Sequence, residues 1–128
     1  SEEFYMSLCN YAAILLTSGE TQQCYKLYKN NISFELLTNE YTLYNYNNYL
    51  IAKYFSAELN LFDLKKLTKA IEDIKTSFDT QILIKINIAS FYLIFNQTDT
   101  ALKLYEEAEL LNNGYDDYFE YLININKC

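Results

Sequence analysis

The scarcity of chain breakers constrains the fold of this sequence more than any other feature. Its 128 residues contain no proline and only two glycines, Gly19 and Gly114. An all-β fold of this length needs many tight turns, and glycine and proline form most of those turns. A chain without breakers can stay helical over long stretches. The sequence therefore predicts an all-α protein, and its length suits one domain with a core of its own.

Apolar residues recur at intervals of three and four, which is the helical period, and predict about seven helices. Gly19 suits the end of the first helix, Asn60 with Asp63 the start of the fourth, and Thr98 the N-cap of the sixth. Connections of two to five residues imply antiparallel hairpins. The expected helices cover about 3–18, 20–31, 35–59, 60–76, 77 (or 79)–96, 98–112 and 116–126.

The charge balance argues against polyanionic partners. Seventeen acidic residues stand against ten basic ones, all of them lysine, for a net charge of -7. Without arginine there is no planar fork for bidentate contacts to phosphates or bases, and the net charge repels nucleic acid. No run approaches the ~20 apolar residues of a membrane span, and the first residues do not resemble a signal peptide. We expect neither a nucleic-acid nor a membrane partner.

The cysteines indicate a reducing compartment. Cys9, Cys24 and Cys128 are widely spaced and odd in number, which fits the cytoplasm better than a disulfide framework. Cys9 and Cys24 are expected to be small buried side chains.

Catalytic groups are few. Histidine is absent, so the usual general base near neutral pH is missing, and a zinc site is disfavoured because no Cys-x-x-Cys pair exists. The acidic pairs Glu106-Glu107 and Asp116-Asp117 are interpreted as solvated faces rather than as paired catalytic carboxylates. We expect no enzyme activity, no cofactor and no metal.

The segment from Ile82 to Gly114 carries a pattern of small and aromatic residues at helical spacing. Small side chains let two helices approach closely, and a neighbouring ring fills the space beside them. The pattern consists of Ala89, Tyr92, Asn96 at the turn, Ala101, Tyr105 and Ala108. It resembles a tetratricopeptide repeat, although Lys85 replaces the early tryptophan of that family and Asn113 its closing proline.

Two earlier segments follow the same plan less closely. The first matches at Ala12, Leu15, Gly19, Cys24 and Tyr28. The second matches at Ala52 and Phe55, with Asn60 at the turn and about three extra residues before its second helix. The intervals from Ala12 to Ala52 and from Ala52 to Ala89 are 40 and 37 residues, longer than the ~34 of the standard repeat. A generic helical bundle stays open as the alternative to a repeat array.

The resemblance implies a short right-handed superhelix of stacked hairpins, an α-solenoid, in which residues 1–128 form a single domain. Its concave groove would be lined by the first helix of each hairpin and would bind a protein or peptide. In this sequence the groove positions are Met6, Cys9, Asn10, Ala13, Tyr46, Tyr49, Lys53, Leu83, Ile86, Asn87 and Ser90. Asn10 and Asn87 match positions where family members hold a peptide main chain, whereas the second hairpin has Leu50 there.

The leading hypothesis is a non-catalytic scaffold or sensor module that binds a protein or peptide in the cytoplasm. Since the chain begins with Ser1-Glu2-Glu3, we expect it to be a piece of a longer protein, such as a bacterial regulator. The predicted binding residues are Asn10, Tyr46, Tyr49, Lys53, Ile86, Asn87 and Ser90. One alternative is a homodimerisation domain, and another is the sensor of an enzyme whose active site lies elsewhere. The 14 tyrosines fit either a recognition surface or compositional bias.

Overall fold

The chain folds into helices throughout the part described by a computed structural model, which covers residues 2–113 and 116–127, with side chains through Ile125. These residues form seven helices and no strand, which confirms the all-α prediction. The helices are α1 (Glu2–Thr17), α2 (Thr21–Asn31), α3 (Glu40–Phe55), α4 (Leu61–Asp73), α5 (Phe78–Ile94), α6 (Thr98–Asn112) and α7 (Asp117–Lys127). Gly114 and Cys128, for which the sequence suggested roles, lie outside the described residues.

One predicted helix start and one predicted N-cap residue are wrong. α3 begins at Glu40 rather than near residue 35, because Asn39 caps it: Asn39 Oδ1 accepts from the Thr42 backbone N–H at 3.0 Å, and Thr42 Oγ1 accepts from the Asn39 N–H at 3.1 Å. In α6 the N-cap residue is Gln97 rather than Thr98, and its side chain makes no capping bond. The cap at Asn60 is confirmed, since its Oδ1 accepts from the Asp63 N–H at 2.9 Å.

The same C-terminal turn ends α1, α3 and α5. Gly19, Ala57 and Asn96 have φ of 78°, 59° and 60°, the left-handed conformation. At each turn the N–H of this residue bonds the carbonyl three positions back, and the next N–H bonds the carbonyl five positions back. This pair of hydrogen bonds is a Schellman motif, which satisfies carbonyls that the helix end leaves unpaired. The three turns lie 38 and 39 residues apart, a regular spacing that is compatible with a helical repeat.

These turns correct the register of the second hairpin. Ala57, not Asn60, is its turn residue, so Leu50 rather than Ala52 corresponds to Ala12 and Ala89. Ala12, Leu50 and Ala89 are all fully buried, as expected for residues where two helices cross. An alanine in the left-handed region gives no sequence signal, and that is why matching by small residues selected Ala52.

The chain divides into two compact units, one ending at Asp63 and the other beginning at Leu64. In the first unit α1, α2 and α3 pack against one another in all three pairings. Its core contains mainly aliphatic and aromatic side chains, with Cys24 among them as predicted. The buried members are Leu8, Ala12, Leu15, Cys24, Tyr28 and Ala52.

A buried amide links the three helices of the first unit. Asn45, on α3, is fully buried, and its Oδ1 accepts from the Tyr28 hydroxyl of α2 at 2.8 Å. Its Nδ2 donates to the Tyr5 carbonyl of α1 and to the Tyr41 carbonyl of α3, both at 2.9 Å. Every polar atom of the Asn45 side chain is therefore used, as a buried amide requires.

In the second unit α5, α6 and α7 likewise pack pairwise. Its buried core consists mainly of isoleucine, leucine and alanine side chains. α4 joins this unit through Thr68 Oγ1, which lies 3.2 Å from the Tyr92 hydroxyl, and through Gln81 Nε2, which donates to the Ile71 carbonyl at 3.0 Å. Two consecutive hairpin helices and the helix that follows thus pack together in both units, a plan compatible with a helical repeat.

Replacing Ala57 by glycine should stabilise the protein. A left-handed residue with a Cβ costs about 1–2 kcal/mol, while glycine pays more backbone entropy, so the free energy of unfolding should rise by about 0.5–1 kcal/mol in urea titrations. Gly19→Ala is the matched control and should lower it by about 1 kcal/mol through strain alone, since an added Cβ would meet no atom within 4 Å. Destabilisation by Ala57→Gly would contradict the turn assignment.

Candidate functional site

A cleft of about 250 Å³ opens between α1 and α3 in the first unit. Its walls are formed by Met6, Cys9 and Asn10 from α1 and by Tyr41 and Tyr44 from α3. The two helices run parallel, because Asn45 contacts Tyr5 and Asn48 contacts Cys9, so both contacts advance in the same direction. Met6 and Asn10 are exposed at the rim. The sequence placed these α1 residues in a binding groove, but it missed Tyr41 and Tyr44.

The α3 residues predicted for the groove lie on another face of that helix. Tyr46 and Tyr49 pack with Phe34, whose ring centroid is 5.1 Å from that of Tyr46 and 5.0 Å from that of Tyr49. Phe34 occupies this place because residues 32–39 are not helical. Tyr49 also contacts Tyr25 and Tyr28 of α2. Tyr46 is only 3 % exposed as a whole residue, which leaves little of it for a ligand to touch.

Lys53 belongs to the same aromatic cluster. Its Nζ lies 2.8 Å from Asp63 Oδ2 and 5.4 Å from the centroid of the Tyr49 ring. Both side chains of the ion pair are largely buried, so removing one partner would leave the other charge unpaired. Burial, together with the neighbouring Asp63 carboxylate, raises the pKa of Tyr46 well above its usual range. The structure thus brings Tyr46, Tyr49 and Lys53 together. They cluster around Asp63 and Phe34, however, and do not line the α1–α3 cleft.

The predicted groove residues of the third hairpin lie in the second unit. Ile86 is 3 % exposed and belongs to the core. Ser90 Oγ donates to the Ile86 carbonyl at 2.9 Å and lies 2.8 Å from the Tyr105 hydroxyl. Asn87 is half-buried on the same helix. A binding role for these three residues stays a prediction, as it does for Asn10, Tyr46, Tyr49 and Lys53.

Alignment on the three Schellman turns gives each hairpin an asparagine at one position. Asn10, Asn48 and Asn87 each stand nine residues before the left-handed residue of their turn. Likewise Tyr44 stands in the second hairpin where Met6 stands in the first. Sequence matching had put Leu50 at the asparagine position because of its two-residue register error. Asn48 is half-buried, and its Nδ2 lies 3.5 Å from Cys9 Sγ.

Each acidic pair has one exposed and one half-buried member, and in the second pair these are Asp117 and Asp116 respectively. Glu106 is exposed, as a solvated face requires, but Glu107 Oε2 lies 3.6 Å from Nζ of the buried Lys85. Across the described residues no group of three or more cysteine or carboxylate side chains could hold a metal ion. In the same part of the chain, no helix combines the length and the apolar character that crossing a membrane demands.

Comparison with known proteins gives no family, no curated protein and no solved structure that matches this chain. The resemblance to tetratricopeptide repeats therefore rests on the residues and contacts of the chain itself.

Cys9 should react as a shielded thiol in the Cys128→Ser variant. Burial raises the pKa of the Cys9 thiol, and the hydrogen bond from Asn48 lowers it by a smaller amount. The pH midpoint of its alkylation by iodoacetamide should therefore lie above the ~8.5 of a free thiol. Burial raises the pKa of Cys24 to about 11, so this thiol should stay unmodified in the folded protein and serve as an internal control. An ordinary midpoint for Cys9 would show that the cleft does not shield it.

Proposed function

We propose that this chain is a non-catalytic, tetratricopeptide-like repeat module that binds a protein or peptide partner in the cytoplasm. The observation that carries the proposal is the recurrence of asparagine at one position of each hairpin, with two of the three copies beside the α1–α3 cleft. An amide side chain donates and accepts at once, so it can pair with a peptide unit.

The repeat itself supports a scaffold. Three identical helix-ending turns and two sets of mutually packed helices are what stacked helical hairpins produce. Such arrays use their surfaces for recognition, and the sequence lacks histidine, the usual general base near neutral pH. The three cysteines, of which Cys9 and Cys24 are free, fit a reducing compartment.

Exposure selects which of the predicted residues would contact a partner in the first unit. Asn10 is exposed at the rim of the cleft, whereas Tyr46 and Lys53 are held in the aromatic cluster around Asp63. The contact surface proposed for the first unit therefore comprises Met6, Cys9, Asn10, Tyr41 and Tyr44, with Asn48 behind Cys9.

Asn10→Ala should weaken peptide binding without affecting folding. Losing the amide removes about two hydrogen bonds to a peptide main chain, which corresponds to an affinity loss of about tenfold. The affinity is measured by fluorescence anisotropy, with labelled peptides that were selected for binding to the folded protein. Asn30→Ala, at an exposed asparagine of α2, is the matched control and should bind normally. Equal affinities for both variants would remove Asn10 from the contact surface.

Homodimerisation is a second candidate, favoured by the outer face of α7. Phe119 and Ile123 are buried where α7 packs on α5 and α6. Tyr118, Tyr121 and Ile125 are 62 %, 62 % and 51 % exposed and form a second apolar stripe. Exposed apolar stripes often mark an interface. The net charge of -7 opposes self-association, which is why this candidate ranks second.

Sedimentation equilibrium over a wide concentration range separates the two candidates. If α7 forms the dimer interface, the protein should dimerise without a ligand. The Tyr118→Ser/Tyr121→Ser variant should then be monomeric, because the apolar stripe is lost. Tyr11→Ser, at an exposed tyrosine of α1, should leave the dimer intact. A wild-type monomer at all concentrations would eliminate this candidate.

A further inference from the structure

We propose that the α1–α3 cleft accepts one uncharged apolar or aromatic side chain of a peptide that carries lysine or arginine beside it. This inference rests on the proposed function, since it specifies the chemistry of the partner at the same site.

The size of the cleft sets the kind of group that it can hold. Its volume of about 250 Å³ is below the ~300–1,000 Å³ of pockets that enclose a whole small molecule. A volume of this scale suits a single large side chain. The partner is then a chain that inserts one residue and continues along the rim.

The lining of the cleft determines the polarity of the inserted group. Met6, Tyr41 and Tyr44 offer a thioether and two ring faces, and none of the lining residues carries a formal charge at neutral pH. A carboxylate or ammonium group placed there would lose its hydration without gaining a counter-ion. Methionine and tyrosine surfaces favour aromatic and branched aliphatic groups, because sulfur and ring contacts add to apolar burial.

The charges around the cleft determine what flanks the inserted group. The first 25 residues contain no lysine, while Glu2 and Glu3 are exposed in the first turn of α1. These two carboxylates lie one helical turn from Met6, which lines the cleft. Lys53 is occupied by its ion pair with Asp63. Electrostatic complementarity therefore selects a basic residue next to the inserted side chain and disfavours an acidic one.

Asn10 supplies the remaining contact. It is exposed on the rim formed by α1, one helical turn from Met6. A peptide that inserts its side chain beside Met6 passes its backbone over this amide, which can donate to a carbonyl and accept from an N–H. An apolar anchor, a main-chain hydrogen bond and a basic flank then act together on a short extended segment.

The test is a selection with a random octapeptide library displayed on phage, using the full chain as the Cys128→Ser variant. We expect enriched peptides to combine an aromatic or branched aliphatic residue with adjacent lysine or arginine, and to slow the alkylation of Cys9. Met6→Lys should weaken the affinity of such peptides about tenfold, because it removes apolar contact and adds a like charge. Met6→Leu and Leu36→Lys, the latter at an exposed leucine that does not line the cleft, should stay within about twofold of wild type.

The outcomes separate this inference from the function on which it rests. Enriched peptides that bind without slowing Cys9 alkylation, or whose affinity is the same for Met6→Lys and Leu36→Lys, would overturn the cleft assignment and leave a peptide-binding scaffold. Peptides with acidic flanks that protect Cys9 would overturn the assigned chemistry alone. A selection that enriches no peptide would count against both the scaffold and the cleft. Circular dichroism establishes that each variant is folded.

Discussion

The hydrogen bonds of Asn45 hold the first unit together at the point where its three helices meet. One amide on α3 bonds a hydroxyl of α2 and a carbonyl of α1, so the helices cannot slide past one another without breaking a buried hydrogen bond. An unpaired amide at this depth would cost about 1–3 kcal/mol for each group. Apolar burial alone would stabilise many registers of α1 against α3. The amide selects one, and in that register Met6 and Tyr44 line the same cleft.

The two faces of α3 have different tasks. On one face Tyr46 and Tyr49 pack with Phe34, while Lys53 is neutralised by Asp63, and this cluster joins the end of α3 to the capped start of α4. On another face Tyr41 and Tyr44 line the cleft with α1. The tyrosine-rich sequence of α3 therefore serves packing at some positions and lines the cleft at others. A single explanation of the 14 tyrosines, whether recognition or composition, does not describe this helix.

Several features of the fold could be predicted from residues that act locally. Gly19 and Asn96 tolerate the left-handed conformation, so the ends of α1 and α5 were visible in the sequence. The Asn60 cap was also visible in the sequence, because its side chain accepts a hydrogen bond from an N–H only three residues away. Ala57 takes the same left-handed conformation without any such signal. Because this turn was not predicted, the predicted alignment of the second hairpin was shifted by two residues. The shift placed Leu50 where Asn48 stands, and Tyr46 rather than Tyr44 in the predicted groove.

The sequence by itself determined the helical class, the approximate helices and the α1 side of the candidate site, because helical periodicity and breakers act over a few residues. It also determined the lysine-free, acidic character of the first 25 residues. Only the tertiary structure decided which face of α3 meets α1. That choice depends on Phe34 covering Tyr49 and on the Asn45 amide reaching Tyr5, contacts between residues 15 and 40 positions apart. Helical periodicity describes each helix alone and contains no information about such pairings.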